Sequence, residues 1–540
     1  MSSKPTLLGP NGQALPQGIG RLVRQAAATQ ASPFRGGDRE SRNLSSWQPA
    51  LRSPDAESRF TRDTVVARSR DLYRNSPIAR AGVDTSVSRG IGAEYRLRAK
   101  PHYRALGISF EDSVKLAEQM ETAWALWFHD IHRRCDAQRK RSGIQLLRLL
   151  WKSKCIDGEH LAVLRWRPEN GGPFATCVQV VDTDRLINRN RVADTELLRQ
   201  GVHFDTFGAP IAYDILNAHP NDFYATRNAN TWVTAPKRDA YGRPVVIHGF
   251  TEDRPDQTRG VSPFAPILEL FHMTDRYWDS AVQHAIITGT IGTFIRSGFD
   301  PAAVAASLST AADIGDSVSS WQDTRIDFYD DFPVYLGDKR LPIVAPGDDI
   351  VFASAGKDTG PNPEFVKIAY QTTAAALGQA YPELAQNWEG VSYSSARTAY
   401  NSVWQRVVVD RSDFEDDAID PIYYAVMEEA FERGYIDIPE GAPDFHEAAT
   451  AYLQASWTGP GREHVDPLKG VQADEAEIDA RLATHEAQSA RRGRDWREDF
   501  EQLARENAYA AELLLPPRNP EKALALESPT DEEARLGSQR

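Results

Sequence analysis

Five groups of residues in this chain have types and spacings that chemistry uses. His129, His132 and Cys135 stand at i, i+3 and i+6, which on a helix would gather three soft ligands. A closed zinc site needs four ligands in tetrahedral array, and no fourth is evident. Gly356-Lys357-Asp358-Thr359 has the shape of the end of a phosphate-binding loop, but the first glycine of that pattern is missing. Asp358 also stands where a Ser or Thr would hold magnesium, so this is not a nucleotide site. Asp182-Thr183-Asp184 offers a carboxylate pair for a metal, and equally a turn at a strand end, the plainer reading. Ser394-Ser395-Ala396-Arg397 supplies hydroxyls, yet no His or Lys nearby in sequence activates them, and a helix cap explains them better. Glu159-His160 and the His129/His132/Cys135 segment are the only anchors for an enzyme whose site is assembled from distant residues. Neither GxSxG nor HExxH occurs. No catalytic residue, metal ligand or cofactor is assigned.

The elements around these groups carry more information. From Ser262, a good N-cap followed by Pro263 at the first helical position, apolar residues recur at Phe264, Ile267, Leu268, Phe271, Trp278, Val282, Ala285 and Ile286. That spacing predicts one helix over Ser262–Ile287, roughly 39 Å long at 1.5 Å per residue. Charged residues interrupt it, so it is not a membrane span of about twenty apolar residues. Ahead of it, helices are predicted over 62–73, 77–90, 111–131 and 144–155, and strands at 93–100, 160–168, 173–182, 202–205, 211–216 and 243–250. Glu169-Asn170-Gly171-Gly172, Phe207-Gly208 and Tyr241-Gly242 supply the turns, since hairpin turns need positive φ. Together these make an α+β fold. After the long helix come a compositionally distinct insert, a helix over 362–380, a polar loop over 381–393, and a helix from Ser394 to Asp410 continuing into Pro421–Glu432.

The chain has 540 residues, enough for more than one domain, and its 41% hydrophobic content suits a globular protein. The net charge of −14 gives no reason to expect tight, sequence-independent DNA binding; it suits a surface that keeps a protein soluble, and secondarily one along which DNA would not stick. Three cysteines without a CxxC pair argue against a disulfide scaffold or zinc ribbon. The first twenty residues hold no apolar signal-peptide core, which points to synthesis in a reducing cytoplasm.

Four stretches, in this order, resemble those of phage portal proteins of the lambda family. They are RSRDLYRNSPIARAGVDTSVSRGIG (Arg68–Gly92), RPDQTRGVSPFAPILELFHMTDRYWDSA (Arg254–Ala281), GVSYSSARTA (Gly390–Ala399) and WTGPGREHVDPLKGVQADEAEI (Trp457–Ile478). The resemblance implies a structural, non-enzymatic subunit of a homo-oligomeric ring, typically of twelve copies, at one vertex of a viral capsid. Such a ring is the channel through which double-stranded DNA is packaged and ejected. The implied partners are the terminase large subunit, the major capsid protein and head-completion or adaptor proteins, with no membrane. Synthesis is in the host bacterial cytoplasm, and the final location is the virion. Carried onto this chain, the implied architecture is a flexible arm (1–60), an α+β wing (61–250), a stem helix (251–290), a clip insert (291–345), a stem, tunnel loop and returning wing helices (346–456), a helical crown (457–516) and a disordered tail (517–540). Arg276, Arg296, Lys357 and Arg397 are then the candidates for phosphate contacts in the channel, against ordinary surface ion pairs as the plainer role. A different ring-forming virion adaptor is the alternative, and an enzyme with a dispersed site a more distant one.

Overall fold

The computed structural model describes residues 42–222, 231–290, 335–336, 339–340, 363–461 and 467–513. Helix α1 (Pro54–Ser58) leads into α2 (Arg62–Asn75) and α3 (Pro77–Gly90). A single residue, Ser76, separates α2 from α3. Its extended backbone ends α2, its hydroxyl accepts the Ala79 N–H, and Pro77 starts α3 at a position where no N–H is needed. Strand β1 (Arg96–Ala99), the short α4 (Tyr103–Leu106), α5 (Phe110–Phe128) and α6 (Gly143–Asp157) follow. Ser109 caps α5 through the Asp112 N–H at 3.1 Å, and Ser142 and Gln145 form a reciprocal capping box at the start of α6.

Strands β2 (Glu159–Trp166), β3 (Thr176–Val181), β4 (Leu198–Arg199), β5 (Val202–Phe204), β6 (Pro210–Leu216), β7 (Trp232–Pro236) and β8 (Val246–Phe250) form two antiparallel sheets. Their orders are β3-β2-β8 and β4-β5-β6-β7. Gly171, Gly208 and Gly242 take positive φ, as the predicted turns require. Then come the long helix α7 (Leu268–Thr290), a small hairpin of β9 (Tyr335–Leu336) and β10 (Lys339–Arg340), α8 (Pro363–Leu377), α9 (Tyr381–Leu384) and α10 (Tyr393–Phe414). A π-helical turn over Glu415–Ile419 joins α10 to α11 (Asp420–Glu432). The described chain ends with α12 (Phe445–Tyr452), β11 (Ala455–Thr458), α13 (Pro467–Asp479), α14 (His485–Arg491) and α15 (Trp496–Glu512).

Strand β2 divides two cores. Because successive side chains point to opposite faces, Ala162 and Leu164 join a large aromatic-rich core with Trp124, Trp151, Phe414 and Tyr423. Leu161 and Val163 face the smaller core with Val202, Tyr213 and Ile215 of the second sheet. Helix α11 is buried on nearly every side, from Ile422 to Phe431, as a helix at the centre of a body must be. Its two buried carboxylates are both satisfied. Glu429 accepts the Ala175 and Thr176 N–H groups at 2.6 and 2.8 Å, and Glu428 pairs with Arg243.

Several sequence expectations need correction. Residues 61–250 do not close the body by themselves: α11 and α12, which lie in the 346–456 segment expected to hold returning wing helices, complete its core, and β1 pairs with β11 in the register Arg96↔Thr458 to Ala99↔Ala455. The expected crown boundary at 457 therefore cuts through a strand of the body. The expected arm also ends earlier than 60, because α1 is folded and Asp55 accepts both the N–H and the hydroxyl of Thr258 at 2.9 and 2.7 Å. The long helix starts at Leu268, after a 3-10 turn over Ala265–Ile267, rather than at Ser262. Pro266 is the cause, since it lacks an N–H to bond back toward Ser262 and disfavours helical backbone at Ala265. At its other end the helix runs through Gly289 to Thr290, past the expected stop at Ile287. The polar loop over 381–393 contains α9. The insert at 291–345 lies outside the described residues apart from β9 and β10, as do residues 517–540 and residues 1–41 of the arm.

Candidate functional site

The segment that leads into α7 is fastened to the body most deeply at one buried carboxylate. Glu159, the first residue of β2, is fully buried and accepts from Arg62 Nη2 at 2.6 Å, Arg259 Nε at 2.9 Å, His248 Nε2 at 3.2 Å and the Gly260 N–H at 3.0 Å. Arg259 spends its remaining donors on the carbonyls of Thr183, Leu186 and Gln200 at 2.9, 2.8 and 3.1 Å. One side chain thus ties together α2, β2, β8, the second sheet and the approach to α7. Burial alone would raise the Glu159 carboxyl, but Arg259, Arg62 and His248 hold it well below the usual carboxylate range. Gly158 and Gly260 permit the crossing. Gly158 ends α6 at φ 88°, and a Cβ there would sit 2.2 Å from the Val261 backbone carbon.

Beyond this anchor, α7 changes character. Phe264, Ile267, Phe271 and Thr274 are buried, whereas Met273, Trp278 and Val282 are 55%, 41% and 53% exposed. Trp278 Nε1 donates to Tyr370 Oη on α8 at 3.2 Å, and the Tyr277 and Phe365 rings lie 5.2 Å apart. Ile368 on α8 and Val408 and Val409 on α10 are exposed as well. The returning helices present an apolar surface that a single copy leaves in water.

Of the four cationic candidates, Arg276 lies on α7 and Arg397 on α10; both are exposed and make no ion pair among the described residues. Arg296 and Lys357 lie outside the described residues, as does the Gly356–Thr359 segment.

The other chemistry-bearing groups resolve into structural roles. Helix α5 stops at Phe128 with His129 as its C-cap, so His129, His132 and Cys135 do not share a helical face, and Cys135 is buried with its thiol pushed up to about 12 by burial. Asp182, Asp184 and His219 place ligand atoms within 4.8 Å of one another. The position a cation would take there is filled by the Arg70 guanidinium, which reaches Asp157, Asp182 and Asp184 at 2.7, 3.0 and 2.6 Å. Ser392, two residues before the expected cap, is the N-cap of α10, its hydroxyl accepting the Ser395 N–H at 3.3 Å. His160 is fully buried against Phe414, and burial together with Lys154 and His248 pulls it down to about 3, so it stays neutral. The sequence reading did not assign Arg62 and Arg259 any role. The available signal was Glu159 itself: a carboxylate opening an otherwise apolar strand must be paired with cations from elsewhere.

The description "Phage portal protein, lambda family" matches residues 40–411. The portal protein of Escherichia phage N15 is 30% identical over 507 residues, covering 93% of each chain. Portal protein B of Escherichia phage lambda is 29% identical over 507 residues, covering 93% of this chain and 92% of its own. Among solved structures, a chain from the neck of an empty GTA particle computed with C6 symmetry aligns at 13% identity and a TM-score of 0.38, over 87% of this chain and 96% of that one. Among the described residues no helix is long and apolar enough to cross a membrane. The two phage relatives are portal proteins, structural rather than enzymatic, and this chain belongs to the lambda family of phage portal proteins.

Proposed function

We propose that this chain is a wedge of a closed ring of twelve copies at one capsid vertex, through which double-stranded DNA is packaged by terminase and later ejected. The observation that carries this reading is that Trp278 and Val282, one turn apart on the apolar stripe, are left exposed on a helix whose base is locked to the body by Glu159. A rigidly held helix with an uncovered face suits a heterologous contact whose repetition closes a ring. In this assignment the body, with α11, α12 and β11 returning to it, is the wing. Helices α7, α8 and α10 are the stem and its return, the 291–345 insert is the clip that meets terminase and head-completion proteins, and α13–α15 form the crown. The wing also meets the major capsid protein.

Electrostatics supports a slippery channel. Twelve copies at −14 each carry a formal charge of −168. DNA is therefore repelled by the assembly as a whole, and isolated cations make brief phosphate contacts. Arg276 and Arg397 are exposed candidates for these, with Arg296 and Lys357 assigned on sequence alone. The test is native mass of purified protein: a particle near twelve times 60.1 kDa, about 721 kDa, is expected. A 60.1 kDa monomer under all conditions overturns the reading.

A further inference from the structure

The chain is acidic overall, yet one surface runs the other way. The loop between α5 and α6 carries Arg133, Arg134, Arg139, Lys140 and Arg141 against Asp130 and Asp136, and the adjoining β2–β3 hairpin adds Arg165 and Arg167 against Glu169. Seven cations against three carboxylates leave +4 on a chain of −14. Each carboxylate is already taken: Asp130 by Arg134 at 2.8 Å, Asp136 by Arg141 at 3.4 Å, and Glu169 by Arg167 at 2.8 Å. Arg133, Lys140 and Arg165 are exposed and have no carboxylate partner among the described residues.

The loop is also built to hold its shape. Asp136, 1% exposed, accepts the N–H groups of Gln138, Lys140 and Arg141, each at 3.0 Å. Asp130 accepts those of His132 and Arg134 at 3.2 and 2.8 Å. Backbone bonds from Ala137 N–H to Val178 and from Val178 N–H to Cys135, at 3.0 and 2.8 Å, staple the loop along β3. Arg133 and Arg139 take φ of 56° and 55°, a left-handed conformation that costs any residue bearing a Cβ. Strain of this kind persists where the surroundings over-determine it, and it often marks a working surface.

Placement separates this surface from the stem. Strand β2 begins at the Glu159 anchor and ends at Trp166, so the hairpin lies about 23 Å of strand away from the approach to α7. Protein interfaces are depleted of charge at their centres. Here cations outnumber apolar groups: Ile131 on the loop and Trp166 on the hairpin are the large apolar side chains exposed there, and Trp166 lies under the Arg243 and Arg433 guanidiniums. Arginines and lysines without partners on a fixed scaffold instead match the phosphate contacts that position proteins on duplexes. We propose that the 129–141 loop and the β2–β3 hairpin bind the phosphate backbone of double-stranded DNA lying against the outside of the assembly, apart from the duplex in the bore.

The inference rests on the ring reading for its placement outside the bore and for its choice of probe; that the loop binds duplex does not depend on it. Preassembled rings of the full chain are titrated with covalently closed circular duplex, which cannot thread a closed ring. Binding is expected to fall as salt rises. The variant Arg133→Ala/Lys140→Ala/Arg165→Ala is expected to lose about tenfold or more in affinity and about three from the log–log salt slope, one per cation. Circular dichroism and native mass of the variant should match the parent, because all three side chains are exposed. The proposal fails if parent rings do not bind circles, if the variant binds them equally well, or if its defect appears only with linear duplex, which places the loop in the bore. It also fails if the variant loses binding to poly-glutamate while DNA binding is unchanged, which assigns the surface to an acidic protein. If native mass shows no ring, the ring reading fails by itself, and the same titration on the unassembled chain still decides whether the loop binds duplex.

Discussion

Along β2 every side chain from Glu159 to Leu164 is buried, and the one carboxylate among them is met by two guanidiniums, an imidazole and a backbone N–H. Along α7 apolar residues recur at helical rather than strand spacing, yet past Thr274 Trp278 and Val282 of its stripe are exposed. At this strand the body meets its buried carboxylate and covers its apolar side chains within one copy. The long helix satisfies neither its stripe nor its exposed cation Arg276. The difference teaches that burial of a stripe in this chain depends on which neighbours its own fold supplies, and the half left bare is the half that the proposed ring would cover.

The sharpest way to break this contrast is at the joint between the two regions. Glu159→Ala leaves two buried guanidiniums without their counter-ion, and removing one partner of such a pair costs about 3–5 kcal/mol. Urea denaturation of the unassembled chain should show that loss, and a change below about 1 kcal/mol would mean that the anchor is dispensable. On the exposed side the expectation reverses. Trp278→Glu should abolish particles near 721 kDa by native mass, while the stability of the single copy moves by only about 0.5 kcal/mol, as for other surface changes. A large loss of stability in that variant would show that the stripe is covered within one copy after all.

A third measurement sharpens the contrast at the π-helical turn, where the returning helix re-enters the body. Burial pushes Glu415 up to about 7 and Asp417 up to about 6, with neighbouring acidic residues adding to both. Their folded values lie above the unfolded ones, so the folded state binds the protons more tightly. This contribution is complete below about pH 4 and is lost as pH rises to about 7. Glu415→Gln should therefore gain stability relative to the parent progressively between pH 5 and pH 8, read as the difference between two denaturation series; a pH-independent difference would contradict it. The smallest effect is local to the body. Ser76→Ala removes the cap of α3 and should cost about 1 kcal/mol, with helix content otherwise retained by circular dichroism.

Much of this was legible in the sequence because it depends on neighbours a few residues apart. The Ser76-Pro77 break, the positive-φ turn at Gly171 and the helix from Leu268 onward follow from capping, positive φ and period. Four motifs in order sufficed for the family. Local rules misjudged the start of α7, because Pro266 outweighed the good cap at Ser262, and they missed β4 and β7, which are short strands of a sheet whose order no local pattern encodes.

Three features were decided by tertiary structure alone. The pairing of β1 with β11 joins residues more than three hundred positions apart, and only the closed core brings them into register. Whether Asp182 and Asp184 hold a metal depended on where Arg70 falls, and it falls between them. Glu159 and Arg259, each readable as an ordinary surface charge, became an anchor because a buried carboxylate is stable only beside cations that the fold delivers from a hundred residues away. Sequence sets the short-range choices, since their free energies are local. Which charges meet, and which apolar face stays bare, is fixed only once the whole chain has spent its neighbours.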